Sequence, residues 1–223
     1  ITFQPSELVK FLLILFLADR FSRQQERLSS FINGLLPHLV IVGVALGLVV
    51  AQPDLGTAVA MTLIVGVLMV AAQVRYRHLL VLILVAGLMV ALLIWIEPYR
   101  MKRLTISYQI QQGFVALGSG GIFGRGLGRS LQKFFFLPEP YTDSIFPIIG
   151  EELGLLGTLG VLALFCLFGW RGMTIARQQP TLFTFLLAVG LTANVIVYAT
   201  LNIGVMIGLL PTTGLPLPFI SYG

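Results

Sequence analysis

Residues 153–170 read LGLLGTLGVLALFCLFGW, eighteen residues without a charge. A helix crossing the hydrocarbon core of a bilayer needs about 20 mostly apolar residues. This run therefore predicts a membrane-spanning helix rather than the core helix of a soluble domain. Working outward, Glu151 and Glu152 precede it, and Arg171 and Arg177 follow it. Upstream, residues 55–74 and 79–96 are also charge-free, and 28–53 hold only His38 among ionisable groups. From Gln178 to the end there is no charge at all.

Composition agrees. The 223 residues are 57% hydrophobic and only 10% charged, and the mean hydropathy is +0.96. Soluble domains carry roughly 25% charged residues. The expected fold is an all-α polytopic transmembrane bundle with about six spans, near 5–19, 34–52, 55–74, 78–96, 144–170 and 181–203. It forms a single integral membrane domain over residues 1–223, with a large extracytoplasmic loop near 97–143. Neither end reads as a natural terminus, so a fragment of a longer protein is expected.

Several function classes fall away. The single Cys166 lies in an apolar run, so there is no disulfide framework. The net charge of +5 sits in short loops between apolar runs, which argues against nucleic acid. His38 and His78 lack ligand spacing, and no Cys/His zinc pattern or Gly-x-Ser-x-Gly nucleophile is present. The histidines read as interface residues near helix ends.

Orientation comes from basic residues. Arg20, Arg23 and Arg27 follow the first span, Arg75 and Arg77 the third, Arg171 and Arg177 the fifth. These loops share one side, which the positive-inside rule makes cytoplasmic. The 97–143 loop is then outside, although it carries Arg100, Lys102, Arg103, Arg125, Arg129 and Lys133. Passive translocation of a long loop would allow that. Cations placed to meet phosphate would use it. Residues 117–128 read LGSGGIFGRGLG. No strand precedes them and no Gly-Lys-Ser/Thr is present, so a nucleotide loop is a poor match. The glycines read instead as backbone running close to a surface or ligand.

Charges at membrane depth are costly and usually face a bundle interior or cavity. Glu7 and Lys10 stand three residues apart on one helix face, as an ion pair or a polar cavity lining. Asp54, in the turn before Leu55, is either a helix cap or a carboxylate facing an outer cavity. Asp143 directly precedes an apolar helix, and Glu151 and Glu152 lie about two turns further on. At least one of that pair is expected to face inward. The tail from Asn202 is apolar but broken by Pro211, Pro216 and Pro218. It reads as a re-entrant or surface-lying loop that walls a cavity.

Four blocks carry a resemblance: Gln4-Pro5-Ser6-Glu7 with Lys10; Gln52-Pro53-Asp54-Leu55-Gly56-Thr57; Leu137-Pro138-Glu139 through Asp143 to Gly150-Glu151-Glu152-Leu153-Gly154; and Asn202-Ile203-Gly204 through Pro216-Leu217-Pro218 to Ser221-Tyr222-Gly223. In this order they resemble the SEDS family (shape, elongation, division and sporulation), the FtsW/RodA peptidoglycan glycosyltransferases. Residues 126–133 lean toward the FtsW branch. The family commonly has His at Tyr141 and Phe at Ser144, and the stretch Arg100–Gln112 is shorter here. Family members have about ten helices, so this chain would hold the fourth to the ninth.

The resemblance implies polymerisation of lipid II at the outer face of the bacterial cytoplasmic membrane, at the division septum. Asp143 would be the catalytic base. Glu7, Lys10, Asp54, Arg125, Arg129, Lys133, Glu139, Thr142 and Glu151 would bind substrate. Mg²⁺ or Mn²⁺ could assist at the pyrophosphate. The implied partners are a class B penicillin-binding protein transpeptidase and other divisome proteins. A lipid II flippase and a non-catalytic division scaffold are the competing readings. The first is set against by the lack of midplane charge between 34 and 96, the second by any activity that depends on Asp143.

Overall fold

The structure is a computed structural model describing residues 5–52, 54–96, 108–135 and 142–222. All regular structure in these residues is helical: α1 (Pro5–Arg23), α2 (Leu36–Ala51), α3 (Leu55–Ala71), α4 (Tyr76–Ile96), α5 (Tyr108–Ser119), α6 (Gln132–Phe135), α7 (Ile145–Arg177) and α8 (Leu182–Met206). A 3₁₀ turn (Gln25–Ser29) and a π turn (Phe31–Leu35) join α1 to α2. The six expected spans are all helices, with ends shifted by up to seven residues. Two elements differ from expectation, because α5 and α6 lie in the region read as loop.

Local chemistry sets the helix ends. Helix α1 begins at Pro5, whose missing N–H costs nothing in a first turn. Its first turn carries Glu7 and its last Arg20 and Arg23, complementing the helix dipole. Asp54 caps α3 by accepting the Thr57 N–H at 2.9 Å. At Gly34 in the π turn, any Cβ would overlap the Arg27 carbonyl, so only glycine allows that backbone approach.

Among the described residues, three helical segments are long and apolar enough to cross a membrane: Phe31–Ala51, Ile145–Arg177 and Leu182–Met206. Leu55–Ala71 and Tyr76–Val85 are shorter apolar helices. Helix α1 carries Glu7, Lys10, Asp19, Arg20 and Arg23. These charges separate it from the charge-free helices α2, α3 and α8.

The chain divides into two compact units. The first takes its described residues from Ile1–Leu93 and Gly169–Val197. Here α1 presents Ile14, Leu17 and Phe21, and α3 presents Met61, Ile64, Val65 and Leu68, all buried and spaced three or four apart. Small residues admit α8: a Cβ on Gly190 would lie 2.5 Å from the Ile14 side chain. Lipid supplies no hydrophobic drive between helices, so close approach at small residues is how such helices hold together.

The second unit takes its described residues from Ile94–Phe168 and Tyr198–Gly223. Ile110 of α5, Phe146 of α7, Ala199, Ile203 and Met206 of α8, and Leu217 of the tail share one buried cluster. The tail after Met206 is not helical, and its Leu215 and Leu217 are buried. Leu215 and Leu217 thus pin part of the broken tail against the bundle, while most other tail residues are exposed or half-buried.

Helix α7 is itself broken. Gly154 has φ 71° and ψ −161°, which interrupts the helix. The break frees the Glu151 and Glu152 carbonyls and the Leu155 and Leu156 N–H groups. The glycine loop meets all four. Arg125 N–H donates to Glu151 O and Gly126 N–H to Glu152 O, both at 3.0 Å. Leu155 N–H donates to Gly121 O at 2.9 Å and Leu156 N–H to Ile122 O at 3.3 Å. A Cβ at Gly124 or Gly154 would overlap the opposing backbone. The glycines therefore let the loop run against the protein's own broken helix.

Candidate functional site

In the second unit, the turn 142–144 leads into α7. Thr142 Oγ1 donates to Asp143 Oδ1 at 3.1 Å. Three other segments hold the surrounding atoms. Asn202 Nδ2 of α8 donates to the Asp143 carbonyl at 2.8 Å. Ser221 Oγ of the tail donates to the Thr142 carbonyl and accepts the Leu217 N–H at 2.8 Å. Gln109 Nε2 of α5 donates to Ser144 Oγ at 2.8 Å, and Ser144 is fully buried. Asp143 itself is half-buried. A partly exposed carboxylate on a backbone fixed from three directions is suited to accepting a proton from a hydroxyl held against it.

Glu151 lies eight residues on, about 12 Å along an ideal helix axis. Of the pair Glu151 and Glu152, Glu151 is the one fully buried. Its carboxylate accepts four hydrogen bonds. They come from Ser130 Oγ at 2.5 Å, Leu131 N–H at 3.1 Å, Gln132 N–H at 3.3 Å and Arg125 Nη1 at 3.3 Å. Ser130 Oγ also accepts the Lys133 N–H at 3.0 Å. Every acceptor direction of Glu151 faces the protein, so its geometry is that of a loop organiser rather than of a ligand contact.

The cations divide accordingly. Arg125 also donates from Nε to the Ser119 carbonyl at 3.3 Å, so its guanidinium is held in place. Arg129 is exposed and Lys133 half-buried. Both extend from the segment that Glu151 organises. Glu139 lies outside the described residues, as do the basic residues Arg100, Lys102 and Arg103.

In the first unit, Lys10 Nζ and Glu7 Oε2 form an ion pair at 2.5 Å, with Lys10 buried and Glu7 half-exposed. Asp54 makes the helix cap described above. Among the described residues no three His, Cys, Asp or Glu side chains gather to hold a metal ion.

Sequence reading missed Asn202, Ser221, Gln109, Ser144 and Ser130 as members of the arrangement. One signal was present for Asn202. A carboxamide inside an apolar helix is expensive unless it is partnered, and so marks a site.

The chain as a whole is similar to known proteins. Residues 1–223 match the family model for FtsW, RodA and SpoVE, described as cell cycle protein. Stage V sporulation protein E of Bacillus subtilis (strain 168) is 43% identical, over 99% of this chain and 63% of its own length. The probable peptidoglycan glycosyltransferase FtsW of Coxiella burnetii is 41% identical, over 100% of this chain and 64% of its own. A solved structure described as a peptidoglycan synthase complex coordinating polymerization and crosslinking contains a similar chain. It is 31% identical with a TM-score of 0.77, covering 100% of this chain and 65% of that one. The chain thus spans a little under two thirds of the relatives it matches. A match over every residue, carried by an all-helical membrane fold, means that this chain belongs to the FtsW/RodA/SpoVE family.

Proposed function

We propose that the full-length protein polymerises lipid II into glycan strands at the outer face of the bacterial cytoplasmic membrane during cell division. The observation that carries this reading is Asp143, whose flanking backbone is fixed by Asn202 and Ser221. The relative from Coxiella burnetii carries the name of the same activity.

The family resemblance supplies the reaction, and the groups present can be placed in it. The 4-hydroxyl of one N-acetylglucosamine attacks C1 of the N-acetylmuramic acid at the end of the growing chain. Asp143 takes the hydroxyl proton as the new C1–O bond forms. The bond from C1 to the pyrophosphate oxygen breaks, and undecaprenyl pyrophosphate leaves with the electron pair. Arg129 and Lys133 would offset its charge, with Arg125 setting their loop. A divalent cation, Mg²⁺ or Mn²⁺, would arrive with the pyrophosphate. Magnesium is commonly held by one or two carboxylates plus phosphate oxygens. Glu7, Lys10 and Asp54 are the further residues proposed to bind the lipid-linked substrate. The proposed partners are a class B penicillin-binding protein, which cross-links the product, and other divisome proteins at the septum.

The test uses the purified full-length protein with its transpeptidase and labelled lipid II. General base catalysis contributes about 10²–10⁴-fold, so Asp143→Ala is expected to lose glycan ladders by that factor. Equal ladders from Asp143→Ala would remove Asp143 from the chemistry. No ladders from wild-type protein that still binds lipid II would favour transport or a scaffold.

A further inference from the structure

Backbone accounting around Asp143 leaves two carbonyls that their own segments cannot satisfy. In a helix the Asp143 carbonyl would accept from the N–H of residue 147, but that residue is Pro147 and has none. In a turn the Leu215 carbonyl would accept from residue 218, which is Pro218 and also has none. Buried carbonyls without partners are costly, so a donor must come from elsewhere.

One group supplies both. Asn202 Nδ2 donates to the Asp143 carbonyl at 2.8 Å and to the Leu215 carbonyl at 2.7 Å. A carboxamide nitrogen has two hydrogens, and both are used. Both neighbours are acceptors, which fixes the orientation of the amide. Asn202 is 1% exposed, so bulk water does not compete for these bonds. Ser221 adds a second tie between the same tail and the Thr142 carbonyl. An apolar residue of similar size would leave both carbonyls orphaned, and an ionised aspartate would set a third acceptor against them.

We infer that Asn202 is a positioning residue for Asp143: its carboxamide replaces the N–H groups that Pro147 and Pro218 lack, and so fixes the catalytic aspartate against the Pro-rich tail. The inference rests on the glycosyl-transfer reading for its kinetic consequence, but not for its structural one. Asn202 touches no reacting atom. It acts through the peptide that carries the carboxylate.

The test compares Asn202→Asp, Asn202→Ala and Ser221→Ala in the full-length protein with its transpeptidase, using lipid II as the probe. Asn202→Asp keeps the shape and withdraws both donors. Should it fail to fold, the other two variants carry the test. Misplacing a catalytic group by an ångström costs on the order of 100-fold. The expected result is a 10- to 100-fold fall in kcat with little change in KM. Hydrogen exchange should quicken together in residues 142–146 and 213–217. A folded Asn202→Ala protein with wild-type kcat, or with unchanged exchange in either segment, overturns the inference. If the wild type fails to polymerise lipid II and exchange still quickens in both segments, the positioning of Asp143 stands and the polymerase reading falls.

Discussion

Replacing Glu151 should release the basic loop from α7. The buried carboxylate accepts two backbone N–H groups, one hydroxyl and one guanidinium N–H. In Glu151→Ala the Leu131 and Gln132 N–H groups and the Ser130 hydroxyl lose their acceptor. Each buried group left unmade costs about 1–3 kcal/mol. Arg125 is partly exposed and can turn to water, so it adds little. The sum is about 3–5 kcal/mol, taking values toward the low end of that range for groups that relax toward solvent. Glu151→Gln should cost less, about 1–3 kcal/mol. Its amide keeps one oxygen acceptor, but its NH₂ must face either the Leu131 or the Gln132 N–H. The cost falls on local opening of residues 119–133 rather than on global unfolding. At about 1.4 kcal/mol per tenfold, exchange of the loop amides should quicken roughly 100- to several thousand-fold in Glu151→Ala. Hydrogen exchange in nanodiscs, with residues 182–206 as internal control, measures this directly. Unchanged protection at 125–133 in Glu151→Ala would refute the organising role. Equal effects of Gln and Ala would refute the donor accounting.

Two further outcomes follow from single contacts. Asp54→Ala removes the cap on Thr57 and should cost about 1 kcal/mol, read as a Tm lowered by a few degrees, while Asp54→Asn should be close to neutral. Gly154→Ala places a Cβ against the Ile122 and Gly124 backbone at φ 71°, so detergent-solubilised protein should lose its monodisperse size-exclusion peak; a peak like that of wild type would show that the loop can shift.

Fold and site were legible to different depths, for physical reasons. Length and hydropathy located the spans because lipid permits almost nothing but a helix to carry 18–20 apolar residues. Helix α5 was not expected, although Ile110, Gly113 and Ala116 repeat every three residues and form its buried face. Twelve residues that include Gly113 and Gly118 and run into Gly120 and Gly121 are too few for periodicity to stand out against a polar loop. The break at Gly154 was invisible because a glycine in an apolar helix is usually only a packing residue, and its φ is set by a loop about thirty residues upstream. The carboxylates were found and one was expected to face inward. That Glu151 organises the loop depends on Ser130, Leu131 and Gln132, two of them contributing only backbone N–H groups, which no residue pattern marks. Asn202 is the converse case. Its cost in an apolar helix was readable, but its two partners are carbonyls made needy by prolines 55 residues before it and 16 after.

The backbone bonds at the Gly154 break also bear on how the chemistry would be arranged. Asp143 stands at the start of α7, and the loop bearing Arg125, Arg129 and Lys133 is bonded to the break in that helix. Four backbone hydrogen bonds and the Glu151 carboxylate make the attachment. The basic segment is therefore part of α7 rather than a lid over it. In the proposed mechanism the proton acceptor and the anchor of the basic segment, Glu151, thus lie on one stretch of chain, some two turns apart. Substrate binding need not bring them together, and their spacing costs no ordering entropy at the moment of reaction. A helix broken at Gly154 is what makes this possible. An unbroken α7 would satisfy its own carbonyls at Glu151 and Glu152 and leave the loop only the Glu151 side chain to bind. Glycine at 154 thus sets where the cations stand relative to Asp143, although it carries no side chain to take part in the reaction.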